Sequence, residues 1–574
     1  MLKLFGSLKQ YSIFIALVLI LVFFQSLSQL YLPTLMSDIV DVGIIQGDIN
    51  YILRIGLLML LVALVGMVCT IAASFLSSKI AIGFSKDLRE KIFTKVENFS
   101  LQEFDKLGTS SLITRTTNDI TQIERVVMLI LRMLISAPMM FIGGVIMAVS
   151  KDARLSLVIV VAIPILFITI IILTRKGIPL FKAVQQKLDK LNLVSREGLT
   201  GIRVIRAFNR DDYEKKRFYD ANYDLTSISI RVNQIMAALM PIIMLVMNFT
   251  TIAVIWFGGI RIDNGYMQVG DLMAFIQYVM QIMFSLIMVS MMFIMIPRAA
   301  VSVARVNEVL DSFTEIKNPE KAQNNNFKGV VEFRNVTFSY PGAEKPVLYN
   351  VSFTAKPGTT TAIIGGTGMG KSTLISLIPR FYDVNSGSIM IDGVDIRQIS
   401  QEKLRSVIGF VPQKAVLFTG SVADNIRFGK GNATEGEVRE AAVTAQAMEF
   451  IDEMEEGFNS LVIQGGNNLS GGQKQRLAIA RALVRKPPIY IFDDSFSALD
   501  FKTDAKLREA LKERTGDAAM IIVAQRVSTV MNADQIVVLD EGRIAGIGKH
   551  RELLNTCEVY REIVSSQLAE EELA

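Results

Sequence analysis

The first half of this chain carries six long stretches without a formal charge: between Lys9 and Asp38, Arg54 and Lys79, Arg132 and Lys151, Arg154 and Arg175, Arg231 and Arg261, and Asp271 and Arg298. A helix needs ~20 apolar residues to cross a bilayer, and only helices and closed barrels satisfy their backbone there. Each stretch is that long or nearly so, which predicts six membrane-spanning helices. The third is the shortest, so Arg132 is expected at the inner end of its helix or against a wet cavity, because a charge facing lipid is costly. The first run is too long for a signal-peptide core and lacks an obvious small-residue cleavage site after it, which predicts a retained helix. A hydrophobic fraction of 51% over 574 residues agrees with a membrane-embedded part and excludes an ordinary soluble single domain.

Beyond Arg298 no comparable run occurs. Short β-branched segments alternate with Gly, Pro and charged residues, the pattern of a soluble mixed domain. Between the halves, NPEKAQNNNFKG at 318–329 has no periodic apolar face and reads as linker. The expected division is a membrane domain over 1–310, a linker over 311–328 and a soluble domain over 329–574.

Six spans place both termini on one side, and basic residues in the loops say which. Segment 33–51 has Asp38, Asp41 and Asp48 but no Lys or Arg, 150–154 is short, and 259–271 has Arg261 alone. These are expected outside. The loops at 77–127 and 175–231, with phrases such as KDLREK and RDDYEKKRF, are expected in the cytoplasm with both termini of a multi-pass cell-membrane protein. The net charge of +5 follows from this topology and calls for no nucleic-acid partner. Cys69 and Cys557 make no disulfide framework and fit a reducing cytoplasm.

In the soluble half, TTTAIIGGTGMGKSTLISLI reads as strand, Gly-rich turn and helix, and GGTGMGKS fits G-x-x-x-x-G-K-[ST] from Gly365 to Ser372. In such a turn the backbone N–H groups along Gly366, Thr367, Gly368, Met369 and Gly370 point inward around phosphates. Lys371 reaches the β and γ phosphates, and Ser372, followed by Thr373, ligates Mg²⁺. The hydrophobic run IYIF ends in Asp493, a carboxylate suited to the same ion. A third motif, LSGGQKQRLAIARAL at 469–483, sets Ser470, Gly471, Gly472 and Gln473 at a helix start as a second backbone-donor cradle. ATP and Mg²⁺ are the ligands these residue types suit.

Together these motifs resemble those of the ATP-binding cassette (ABC) transporters, over nearly the whole chain. The resemblance makes GGTGMGKS the Walker A loop, IYIFD the Walker B strand, LSGGQ the signature and SALD at 497–500 the D-loop. It implies that Tyr340 in TFSYPG stacks on adenine and that Gln413 in FVPQKAVLF is the Q-loop glutamine, acting at the Mg²⁺ and the attacking water. FDKLGTSSLITRTTNDI and GLTGIRVIRAFNRDDYEKKRF look like the two intracellular loops of the exporter type, which end in coupling helices. The implied fold class is an α-helical membrane domain of six transmembrane helices with long cytoplasmic extensions, fused to an α/β P-loop NTPase domain. The implied working unit is a pair of such chains, with each ATP held between the Walker A of one and the signature of the other.

Two positions depart from the family pattern. A Glu usually follows the Walker B Asp, and a His usually occupies the switch phrase; here they are Asp494 and Gln525, in VAQRVST. Both belong to one site, while Lys371, Ser372, Asp493 and the signature are intact. The only histidine, His550 in GIGKHRELL, resembles a later phrase away from the phosphates. VIQGG at 462–466 also replaces a Gly-Glu pair common before the signature. The combination resembles the weakly hydrolysing subunit of bacterial heterodimeric multidrug exporters, which implies a homologous half-transporter as partner. A slow homodimeric exporter or lipid flippase, and a channel-like protein gated by ATP binding, stay open as alternatives. For cargo, a Met- and Phe-rich run such as MQIMFSLIMVSMMFIMI suits amphipathic drugs or lipids, and ordinary lipid-facing packing explains it equally.

Overall fold

The structure, a computed structural model, describes residues 6–567 except residue 324. Contacts divide it into two units. One holds the residues up to Glu97 and Thr109–Ser312, the other Asn98–Gly108 and the residues from Phe313 onward.

The helices are α1 (Ser12–Asp38), α2 (Ile49–Glu97), α3 (Leu101–Leu107), α4 (Ile120–Lys151), α5 (Leu157–Thr200), α6 (Ile202–Ala207), α7 (Asp211–Asp263) and α8 (Val269–Asp311). Among the described residues, five helical stretches are long and apolar enough to cross a membrane, and α5 opens with the shorter apolar run Leu157–Ile172. The helices α2 and α7 have 49 and 53 residues. At 1.5 Å per residue they run about 75–80 Å, far beyond the ~30 Å hydrocarbon core, so both continue well outside it.

Large apolar side chains stay outward on these helices, as lipid requires: Leu57 is 62% exposed and Trp256 69%. Inside, some polar groups bond from one helix to another. The Tyr278 hydroxyl on α8 donates to the Leu30 carbonyl at 3.0 Å and shares a 2.6 Å hydrogen bond with Thr34. At the end expected outside, α1 runs into a π-helical turn, Ile39–Ile44, that brings Asp41 to the start of α8. Its carboxylate accepts the Gly270 and Asp271 N–H groups at 2.6 and 3.0 Å, and Lys151 pairs with Asp271 at 2.7 Å. Asp41, which the sequence marks only for topology, is thus a helix cap supplied by another helix. Arg132 is exposed and hydrogen-bonds Ser74 on α2.

The second unit is built on β1 (Val331–Phe338), β2 (Leu348–Ala355), β3 (Thr360–Gly365), β4 (Ser386–Ile391), β5 (Val394–Asp395), β6 (Ile408–Val411), β7 (Ile489–Asp493), β8 (Ala519–Val523), β9 (Gln535–Asp540) and β10 (Arg543–Gly548). An antiparallel sheet runs β2-β1-β4-β5, and a six-stranded sheet runs β10-β9-β3-β8-β7-β6. In the latter β9, β3, β8, β7 and β6 are all parallel. Strands β7 and β8 are buried at every residue, the signature of a sheet covered on both faces.

The short helix α3 packs within this unit although its sequence lies between α2 and α4. Ser100 and Glu103 form a capping box at its start, and Asp105 accepts a 3.0 Å hydrogen bond from the Tyr382 hydroxyl. The expected linker is irregular yet anchored. Ile316 and Phe327 are 6% and 8% exposed, and Asn318 accepts the Gln401 N–H at 2.9 Å.

Candidate active site

Because β3, β6, β7 and β8 run parallel, their C-terminal ends open on one edge of the sheet, the usual place for a ligand in such a fold. The Gly-rich loop follows β3, Gln413 follows β6, Asp493 ends β7 with Asp494 next after it, and Gln525 follows β8. Four segments far apart in sequence therefore converge.

Gly370 closes the loop with φ of +88° and leads into α9 (Lys371–Ser376). A Cβ there would lie 2.9 Å from Leu348 and 3.1 Å from the Val347 carbonyl, so the left-handed turn and the close approach both require glycine. Around Gly368, at φ of +85°, a Cβ would meet nothing within 4 Å, the open side on which a phosphate chain would lie. The Lys371 ammonium donates to the carbonyls of Gly365 and Gly366 at 2.8 and 2.6 Å, and burial lowers its pKa from the ordinary lysine value. Ser372 Oγ donates to Asp493 Oδ1 at 2.9 Å. Burial pushes the carboxyls of both Asp493 and Asp494 up. A hydroxyl beside a buried carboxylate is a hard-oxygen pair that fits Mg²⁺, and two carboxyls held up by burial would favour a cation there.

Asp494 sits in the left-handed region, φ +45°, with its N–H bonded to the Val523 carbonyl at 2.9 Å. Its Oδ2 accepts from Gln413 Nε2 at 3.3 Å and from Gln525 Nε2 at 3.1 Å. Tyr340 follows β1, its ring edge-on to Phe338 and Tyr382 at 5.0 and 5.3 Å, and its hydroxyl shares a 3.0 Å hydrogen bond with Thr373. Thr367 and Met369 complete the loop, the latter donating its N–H to the Gly366 carbonyl.

The signature is separate from this cluster. Ser470 caps α10 (Gly471–Leu483): its N–H donates to Gln473 Oε1 at 2.8 Å and its Oγ accepts the Gln473 N–H at 3.3 Å. Ser470 and Gly471 are exposed, and among the described residues none of the four signature residues hydrogen-bonds the Gly-rich loop. A Cβ on Gly472 would come 3.2 Å from the Ala498 carbonyl, so the 497–500 turn passes directly over the signature. That turn is also tied to the first cluster, since Ser497 Oγ donates to the Asp494 carbonyl at 2.9 Å.

Two residues escaped the sequence reading. Tyr382 links α3 to Tyr340, and only the aromatic run FY after the Gly-rich helix hinted at it. Gln567, at the end of α11 (Glu558–Ser565) and its following turn, brackets the switch position: its amide donates to the Gln525 carbonyl and its carbonyl accepts the Val527 N–H, both at 2.8 Å. No sequence signal marks it. Gln567→Ala is expected to slow hydrolysis by the purified chain about fivefold, the scale of one lost hydrogen bond of ~1 kcal/mol. Gln567→Glu, which keeps the acceptor for Val527, should lose less; equal rates for both variants and the parent would show that the bracket is idle.

Comparison with known proteins places the whole chain. The family description "ABC transporter transmembrane region" matches residues 15–308, and "ABC transporter" matches residues 348–497. An uncharacterised ABC transporter ATP-binding protein of Mycobacterium tuberculosis is 44% identical over 565 residues, covering 98% of this chain and 97% of that protein. An ATP-dependent lipid A-core flippase of Desulfotalea psychrophila is 32% identical over 536 residues, covering 93% of each. A solved structure of a bacterial Atm1-family ABC exporter with ATP bound superposes with a TM-score of 0.80 at 26% identity, covering 96% of this chain and 98% of that one. With a membrane-helix unit and a P-loop ATPase unit in one polypeptide, this chain belongs to the ABC transporters as an exporter-type half-transporter and transport ATPase.

Proposed function

We propose that this half-transporter works as one subunit of a heterodimeric exporter of amphipathic compounds, drugs or lipids, in the cell membrane, and that its own Walker motifs build a site that binds ATP and hydrolyses it slowly. The observation that carries this reading is the trio at Asp494. The carboxylate in the place of the general base is flanked by two carboxamides on one oxygen, at 3.3 and 3.1 Å.

Asp and Glu have similar basicity, about 3.9 and 4.3, so reach is the difference. One methylene less retracts the carboxylate by on the order of 1 Å, and a misplacement of that size costs roughly 10²-fold. Gln525 can donate to a γ-phosphate but cannot become cationic or pass a proton on. His550, the only histidine, is engaged with the Tyr560 hydroxyl at 2.7 Å.

In this reading Lys371 leaves the Gly365 and Gly366 carbonyls for the β and γ phosphates, and Tyr340 offers its ring to the adenine. Ser372, Asp493 and Gln413 would hold Mg²⁺, which would supply positive charge at the phosphates. The exposed Ser470 and Gly471, with the half-buried Gly472 and Gln473, would hold the γ-phosphate of the partner's ATP once the bonds between Ser470 and Gln473 are given up. The same pairing suits α6, whose flank exposes Val204 and Phe208 at 61% and 74% and so offers an apolar contact for a partner chain.

The direct test is turnover by the chain purified alone in lipid against the same chain co-expressed with a homologous half-transporter that has Glu and His at the two positions. The single chain should bind Mg–ATP yet hydrolyse it roughly 10²-fold more slowly than the pair. Comparable turnover would favour the homodimeric exporter instead.

A further inference from the structure

We propose that the groove between α5 and α7 is a binding site for an anionic phospholipid of the outer leaflet, with an acyl chain along the groove and the headgroup at Arg154. The groove has a volume of about 730 Å³. Leu157, Val161 and Ile165 line it from α5, and Phe249, Ala253 and Phe257 from α7. The single hydroxyl on its wall, that of Thr250, is already bonded to the Val246 carbonyl at 2.8 Å, so the walls offer an apolar ligand nothing but packing. Leu157, Val161, Phe249 and Phe257 are 64%, 62%, 63% and 53% exposed, as apolar as the other outward helix surfaces but gathered in one concavity. Along α5 the lining from Leu157 to Ile165 spans about 12 Å at 1.5 Å per residue, close to the ~15 Å depth of one leaflet.

The mouth selects the headgroup. It is formed by Arg154 and Arg261, at the ends of the two loops expected outside by the charge pattern. Arg261 is neutralised locally, paired to Asp152 at 2.6 Å and lying over the Tyr266 ring at 4.7 Å. Lys151, the other basic group of that loop, pairs with Asp271 at 2.7 Å. Arg154 is exposed and has no ion pair among the described residues. An apolar slot one leaflet deep, with one uncompensated guanidinium at its interfacial end, is complementary to an acyl chain carrying a phosphate at the same height. A zwitterionic lipid fills the slot equally well but offers Arg154 a phosphate partly offset by its own cation.

Trp256, the only tryptophan in the chain, is outside the groove's lining but adjoins its residue Phe257 on α7 and is 69% exposed, so it reports lipid held at the groove's edge. The full chain is reconstituted in vesicles that mix ordinary lipid with either dibrominated phosphatidylglycerol or dibrominated phosphatidylcholine, and quenching of Trp256 by the bromines is read against mole fraction. The expected result is half-maximal quenching at about fivefold lower mole fraction for the anionic lipid, the scale that one basic side chain near a bilayer surface supplies. Arg154→Gln should remove that preference and Arg154→Lys should keep it, which separates loss of charge from loss of fold. Equal quenching by the two lipids in the parent chain, or a preference that survives Arg154→Gln, would overturn the proposal. So would an absence of quenching by either lipid, which would mean that protein, such as a second copy of the chain, covers the groove.

Discussion

Asp494→Glu together with Gln525→His is expected to return ATP hydrolysis to this chain's own site, by roughly the 10²-fold that misplacement of a base by ~1 Å removes. The geometry gives each change a distinct task. Asp494 directly follows a buried strand whose register is held by Asp493 opposite Val523, and its own N–H is bonded to the Val523 carbonyl, so the backbone cannot move forward to compensate for a short side chain. Only a longer side chain extends the carboxylate into the space before the Gly-rich loop. Gln525 stands 3.1 Å from that carboxylate, so an imidazole at this position would lie between base and γ-phosphate, where it can take a charge. Glu alone should recover less than the pair, because the two residues touch and their effects do not add. The cleanest measurement uses a partner whose own catalytic Glu is changed to Gln, so that remaining turnover reports the repaired site. No gain, with an intact LSGGQ in that partner, would show that these two residues are not what slows the site. A gain also depends on that partner cradle, because donors must meet the charge developing on the γ-phosphate.

Damage to the two phosphate cradles is expected to be unequal. Ser470→Ala or Gly471→Asp should cut the ATPase activity of the assembled pair by about 10²–10³-fold, the usual consequence of losing donors aimed at transition-state charge. Lys371→Ala should weaken nucleotide binding at the slow site and leave most of the turnover. The asymmetry follows from placement: Ser470 and Gly471 are exposed and make their bonds within the α10 cap, while Lys371 is buried beside Asp493 and Asp494. Steady-state ATPase assays of the pair, with nucleotide binding to each variant measured separately, decide the matter. If the Lys371 change were the more damaging for hydrolysis, the assignment of fast and slow sites would be reversed.

Much of this molecule was legible because the physical constraint acts over a short stretch of chain. A bilayer demands ~20 apolar residues in a row, so the spans stand out by composition alone. The Gly-rich turn, the strand ending in Asp493 and the Ser-Gly-Gly-Gln cap are likewise local: φ of +88° at Gly370 and a hydroxyl capping its own helix are written into neighbouring residues. The substitutions Asp494 and Gln525 could be read as departures for the same reason.

What only the tertiary structure decided are relations between distant segments. Parallel pairing of β8 with β7 set Gln525 against Asp494, 31 residues away, and β6 beside β7 brought in Gln413 from 81 residues away. The short α3 joined the ATPase unit through Asp105 and Tyr382, against its place in the sequence between two membrane helices. Asp41 became the cap of α8 across 229 residues, and Gln567 came to hold the backbone on both sides of Gln525. None of these has a local signature, because a hydrogen bond between elements depends on which strands and helices become neighbours. Hydrophobic periodicity says that a segment packs, whereas its partner is selected by the packing of the whole unit.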